Sequence, residues 1–236
     1  MVDSISMNLM YGCRKVSDGC KNCYIARYPF AYQARRFGMK TPFEGRAGFF
    51  SFENQTRKVS KMPPNSVIFV NALSDTFGEF VPDRTLEEWH KYFASNPQYQ
   101  FMFLTKRTGR MEVYYRSHNA PDNLWVGTTI ESRKYLRRLD ILKRIKARIK
   151  WVGFTPLLED IGDVDLHGIQ LASVGGESGS NHRPFDVTWA RNILRICRRD
   201  GVAFGFLGTE GFTNNALDGV TYDEMPINVK LLPFKA

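Results

Sequence analysis

The chain has 236 residues, 43% of them apolar, 24% charged and 14% aromatic, which is enough for one large domain with a sizeable core. No apolar run reaches the ~18 residues of a bilayer span, and the start MVDSISMNLMYGC lacks the basic and apolar stretches of a signal peptide. A membrane-spanning, a secreted disulfide-stapled and a disordered chain are thereby set aside. The expected location is cytoplasmic, and the net charge of +9 fits either a basic solvated surface or a polyanion-binding one.

In chain order, a first short apolar run at Ser4–Met10 leads into a cysteine loop, Gly12-Cys13-x6-Cys20-x2-Cys23-Tyr24. Of the four cysteines, Cys13, Cys20 and Cys23 share this loop, and Arg14, Lys15 and Lys21 beside them favour thiolate. A disulfide framework would be denser and would come with a secretory signal. Structural zinc usually takes four ligands, and no second cysteine pair supplies them. His90, His118, His167 and His182 show no ligand spacing, to one another or to the cysteines. Three thiolates without a fourth ligand suggest a metal centre with an open position, such as a 4Fe–4S cluster with one free iron. A zinc site completed by a histidine stays open.

Basic and aromatic residues interleave after the loop, with Arg27, Arg35, Arg36, Lys40 and Arg46 among Tyr28, Phe30, Tyr32 and Phe37. They read either as a base-stacking, phosphate-binding surface or as an amphipathic helix over Ile25–Phe37 with its basic face in water. Phe37–Met62 is the least regular stretch and reads as an insertion, at about 37–62, over one face of the fold. Six further apolar runs follow: Ser66–Asn71, Gln100–Thr105, Asn123–Thr129, Ile149–Phe154, Ile169–Gly175 and Val202–Leu207. Continuous runs of this length predict strands covered on both faces.

Helical patterns lie between them, at Asp83–Ala94, Ser132–Lys146 and Asp186–Arg199, the last stopped by Asp200-Gly201. The alternation predicts an α/β fold, a full or partial (β/α) barrel of parallel strands, with an open doubly wound sheet as the alternative. No linker divides the chain, so 1–236 reads as one domain. Cys197 falls on the apolar stripe of the last helix and reads as a core residue. Polar residues gather just after the strands, where parallel folds place their sites: Asn71, Ser74 and Asp75, then Lys106 and Arg107, then Thr128, Thr129 and Glu131, then Gly175-Gly176-Glu177-Ser178-Gly179.

The ordered set Asn8…Gly12-Cys13-x6-Cys20-x2-Cys23-Tyr24, Phe69-Val70-Asn71-x2-Ser74-Asp75, Leu104-Thr105-Lys106-Arg107, Pro156-Leu157-Leu158 and Gly175-Gly176-Glu177-Ser178-Gly179…Arg183-Pro184…Trp189 resembles the three-cysteine-motif proteins of phages and prophages. These belong to the radical S-adenosylmethionine (SAM) superfamily and are distant relatives of spore photoproduct lyase. The resemblance covers roughly residues 6–207. It implies a radical-SAM-like barrel, a 4Fe–4S cluster on Cys13, Cys20 and Cys23, and SAM bound at its free iron. An external donor would supply one electron, and a 5′-deoxyadenosyl radical would abstract a substrate hydrogen. The resemblance places Tyr24 near the adenine, Asn71, Ser74 and Asp75 at the SAM amino group, and Thr128, Thr129 and Glu131 at the ribose. Glu177 and Lys106 are the catalytic candidates on the substrate side.

Two departures stand out. The first cysteine gap is wider than the usual C-x3-C-x2-C, and Thr155 and Gly208-Thr209-Glu210-Gly211 replace an acidic residue and a Lys-Gln-Trp-Gly-like strand end. The implied substrate is DNA carrying a modified thymine, for instance one bearing an amino acid to be isomerised in phage DNA hypermodification. Three alternatives are a photoproduct-lyase-like repair enzyme, a radical-SAM enzyme on a small metabolite, and a non-catalytic zinc-stabilised nucleic-acid-binding module.

Overall fold

The computed structural model describes residues 5–210 and 216–226. Ser4 of the first predicted run and Gly211 of the departing strand end lie outside the described residues. The chain opens with β1 (Ile5–Met7) and β2 (Met10–Tyr11), and after the cysteine loop come α1 (Gln33–Arg36), β3 (Gly48–Phe49) and α2 (Phe52–Val59). Then follow β4 (Val67–Val70), α3 (Asp83–Ala94), β5 (Gln100–Thr105), α4 (Thr108–Ser117), β6 (Leu124–Thr129), α5 (Arg137–Arg144) and β7 (Ile149–Phe154). The last elements are β8 (Leu171–Val174), α6 (Val187–Asp200), β9 (Ala203–Phe206), β10 (Ala216–Leu217) and β11 (Val220–Thr221).

Seven strands form one parallel sheet in the order β1-β4-β5-β6-β7-β8-β9. Spatial order follows chain order, so every crossover advances the same way, and right-handed crossovers then keep the helices on one face. β1 and β9 do not pair with each other, which makes the fold an α/β partial barrel and not a doubly wound sheet. The β9 edge is covered instead by the segment around Tyr222, whose carbonyl accepts from Phe206 N at 2.9 Å.

The strands read as unbroken apolar runs because both faces are packed. Along β5, Phe101 and Phe103 join the sheet–helix core, while Met102 and Leu104 face the concave side with Val67, Trp125, Trp151 and Leu171. The helix side carries the larger core, and Cys197 is fully buried in it. A third apolar cluster lies beneath the cysteine loop, built on Tyr11, Ile25, Ala34, Met39 and Leu73.

Two expectations need correction. The stretch 37–62 is irregular only in part: residues 37–47 are turns, but β3 pairs antiparallel with β2 and α2 forms behind a Ser51 side chain that accepts from Asn54 N. Residues 25–37 do not make one amphipathic helix but short 3₁₀ turns ending in α1, interrupted at Pro29, which lacks the N–H a helix needs. Phe37 consequently leaves the expected stacking surface and lies against Tyr11 and Phe50 in the third cluster, where Phe30 also packs. Tyr28 and Tyr32 stay 88% and 64% exposed.

Candidate functional site

Because all seven strands run parallel, every loop after a strand opens on the same rim. The cysteine loop follows β1 and β2 and is fastened from two sides.

Glu131, just after β6, lies beneath it with no exposed surface. Ser17 of the loop donates to Glu131 Oε1 at 2.6 Å, Lys106 Nζ meets the same oxygen at 2.9 Å, and Arg138 of α5 meets Oε2 at 2.8 Å. Burial alone would raise the Glu131 pKa, but Lys106, Arg138 and the Ser17 hydroxyl outweigh it and hold the carboxyl below its usual range. Gly19 is required by the same contact, since a Cβ there would stand 2.5 Å from Glu131 Cγ.

The second fastening is Glu177, after β8. Its carboxylate accepts from Asn22 Nδ2 at 2.8 Å, from the Arg183 backbone N at 2.9 Å and from the Arg183 guanidinium. Burial opposes ionisation of Glu177, but Arg183 and Asn22 bring its pKa down to about 2. Asn22 lies between Cys20 and Cys23, and Arg27 reinforces the clasp through the carbonyls of Asn22 and Ser178. Gly176 permits the close approach of this loop to the one after β9, where a Cβ would meet the Thr209 carbonyl at 1.8 Å.

Two consecutive cations after β5 face the sulfurs. Lys106 Nζ is 3.7 Å from Cys20 Sγ, and Arg107 Nη1 is 3.9 Å from Cys13 Sγ. Arg107 is held by Asp75 at 2.9 Å and Glu79 at 2.9 Å. Burial pushes the Cys13 thiol up to about 12 and raises that of Cys23. At Cys20 burial acts in the same direction, but Lys106 and Ser17 outweigh it and the thiol falls below its ordinary value.

The other sequence-predicted residues divide into two groups. Asn71, Ser74 and Asp75 are drawn to the cysteine loop and to the base of the rim. Asn71 accepts from Leu9 N at 2.9 Å and donates to Thr76, and Ser74 donates to the Gly12 carbonyl. Both Asp75 oxygens are engaged, by Phe77 N and the Thr105 hydroxyl on one and by Lys106 N and Arg107 on the other. Tyr24 donates to the Ala72 carbonyl and meets the Phe30 ring edge-on. Thr128 faces the helix side and donates to Thr105 O at 2.7 Å. Thr129 falls on the concave side with Trp125 and Gly127, and its buried hydroxyl has no hydrogen-bond partner. That atom is a ready contact for a ligand in the concavity.

Sequence reasoning missed Ser17, Asn22, Arg138 and Arg183, and placed Arg107 on the rim without a partner. The buried partner carboxylates were the available signal.

The thiols are spread more widely than the ligands of one ion. Among the described residues, the atoms that converge to within 4.8 Å of one another belong to Asp165, His167 and Asp200, and not to the three cysteines. Sulfurs around one tetrahedral zinc stand about 3.8 Å apart, given a Zn–S bond of about 2.3 Å. The cations on two of the sulfurs suit an anionic, thiolate-held group. Asp165, His167 and Asp200 precede β8 and β9, away from this rim, and are already paired with Lys143 and Arg199.

The model of a family described as "Protein of unknown function (DUF5131)" matches residues 3–226. No curated protein and no solved structure matches the chain.

Proposed function

We propose that this chain, which belongs to the DUF5131 family, is a cytoplasmic radical-SAM enzyme whose Cys13, Cys20 and Cys23 hold a 4Fe–4S cluster. The observation that carries the reading is the cysteine loop itself: three thiols on the strand C-terminal rim, with Lys106 and Arg107 against two of the sulfurs. When bound, the cluster and SAM supply one-electron cleavage of a sulfonium C–S bond and hence hydrogen abstraction from a substrate carbon.

The chain's own residues shape and charge the site. Lys106 and Arg107 direct N–H groups at sulfur, which favours thiolate and stabilises added negative charge. Glu131 and Glu177, whose oxygens are all taken by neighbours, act as positioning residues for the two sides of the loop. Asp75 plays the same part for Arg107. Thr129 offers its unpaired hydroxyl toward the concavity as a ligand contact.

The substrate we assign to this site is DNA with a modified thymine, and the electron comes from an external donor. Exposed Arg14, Lys15 and Lys21 around the loop support a polyanionic substrate. Among the described residues, no helix is long and apolar enough to cross a membrane.

The test is anaerobic reduction with dithionite in the presence of SAM and DNA deuterated on the thymine substituent. The proposal predicts 5′-deoxyadenosine that carries deuterium from the DNA. Stoichiometric zinc with no 5′-deoxyadenosine would instead indicate the zinc-stabilised binding module.

A further inference from the structure

A cleft of about 540 Å³ lies beside the cysteine loop at the β1 edge of the sheet. α1 and α2 flank it, and its cations are Arg36, Arg57, Lys58 and Lys61. No carboxylate lines it. Among the described residues, Arg36, Lys58 and Lys61 have no ion-pair partner, and Arg57 shares exposed Glu53 at 2.5 Å. Along α6, Arg191, Arg195, Arg198 and Arg199 each meet a carboxylate. Cations gathered in a recess with no carboxylate in its lining favour an anionic ligand.

Its neighbours narrow the class of anion. The inner end of the cleft is Leu73, which accepts from Gly12 N and belongs to the apolar cluster on which Cys13 and Cys23 pack. Tyr28 and Tyr32, the most exposed aromatic residues among those described, lie between the cysteine loop and α1 in the chain. Phosphate-binding cations, carboxamides at Gln33 and Asn54, and open tyrosine faces together match a sugar-phosphate chain with accessible bases. An acidic peptide has no use for the tyrosine faces.

We propose that this cleft is the docking groove for the backbone of a single-stranded nucleic-acid segment, whose bases pass over Tyr32 and Tyr28 toward the cysteine loop. The proposal deepens the DNA reading above and rests on it only for what is done to the base.

The test measures anisotropy of a short fluorescein-labelled DNA strand on the full chain across a salt series. The variant Arg57→Glu/Lys58→Glu/Lys61→Glu is compared with a control of equal charge change on exposed surface, Lys91→Glu/Lys146→Glu/Arg148→Glu. The cleft variant should lose at least tenfold in affinity. Its slope of log K against log salt should flatten by about 2, from about 0.7 per lost phosphate contact, while the control keeps both values. Inorganic phosphate and polyglutamate should compete poorly, and 5-iodouracil in the strand should photo-crosslink to Tyr28 or Tyr32. Wild-type binding by the cleft variant, equal loss in the control, equal competition by polyglutamate, or crosslinks confined to other segments would each overturn the groove. Iron is assayed on the same preparations. Strand loss with iron retained, in both variants alike, counts against the groove alone, whereas strand binding without iron counts against the radical-SAM reading alone.

Discussion

Glu131 is the residue on which the cysteine loop rests. It joins the loop through Ser17, the end of β5 through Lys106 and α5 through Arg138, with no exposure to water. Removing one member of a buried charge network leaves the others desolvated and unpaired, at a cost of about 3–5 kcal/mol. Glu131→Ala is expected to destabilise the fold by that order, measured by urea unfolding, and to lower iron content in proportion to the loop's loss of order. A variant with wild-type stability would show that water already screens the network. Lys106 belongs to the same network: its ammonium reaches Cys20 Sγ as well as Glu131.

At the scale of elements, α3 and α4 are joined by a buried imidazole. His90 Nδ1 lies 2.7 Å from the Leu86 carbonyl, which can only accept, so Nδ1 carries the proton and Nε2 accepts from the Tyr115 hydroxyl at 2.7 Å. The neutral ring satisfies both partners. Burial pushes its pKa down to about 4 from an unfolded value near 6.5. A depressed folded-state pKa gives stability that is complete above about pH 6.5 and is lost as the pH falls to about 4, worth about 3 kcal/mol over that window. Urea unfolding between pH 7 and pH 4 should show this loss in the wild type and not in His90→Gln. Parallel curves for the two proteins would contradict it.

The elements themselves were largely legible in the sequence. The six apolar runs after the cysteine loop became β4 to β9 within a residue or two, because strands packed on both faces must be apolar throughout. Asp83–Ala94 and the helix ending before Gly201 were visible for a different reason, their apolar periodicity and their stop signals. α2 was invisible because Val59 is its one fully buried apolar residue, and its helix rests on the Ser51 cap. The rim could be listed from the sequence but not paired. Arg107 with Cys13 and Glu131 with Ser17 are separated by 94 and 114 positions, and nothing local encodes such a meeting. Glu131, which the resemblance puts at the ribose, and Glu177, a catalytic candidate, were placed on the rim without their partners. Both carboxylates are occupied by the cysteine loop and its neighbours.

At the scale of the whole molecule, a singly wound partial barrel leaves one face of the sheet without helices and brings every strand's C-terminal loop to one end. The cysteine loop, its cations and the unpaired Thr129 hydroxyl meet there, and the basic cleft opens beside them at the β1 edge. The positive charge divides accordingly: the arginines of α6 meet carboxylates, while Arg36, Lys58 and Lys61 of the cleft have no ion-pair partner among the described residues. What the three thiols hold decides what this rim can do. The most direct measurement is iron and acid-labile sulfide per chain after anaerobic purification, for the wild type, the single variants Cys13→Ala, Cys20→Ala and Cys23→Ala, and Cys197→Ala. About four irons and four sulfides are expected in the wild type and in Cys197→Ala, whose cysteine is buried in the helix-side core, with loss in each of the other three. Zinc in place of iron, or a cluster that survives loss of any of the three loop cysteines, would contradict the account.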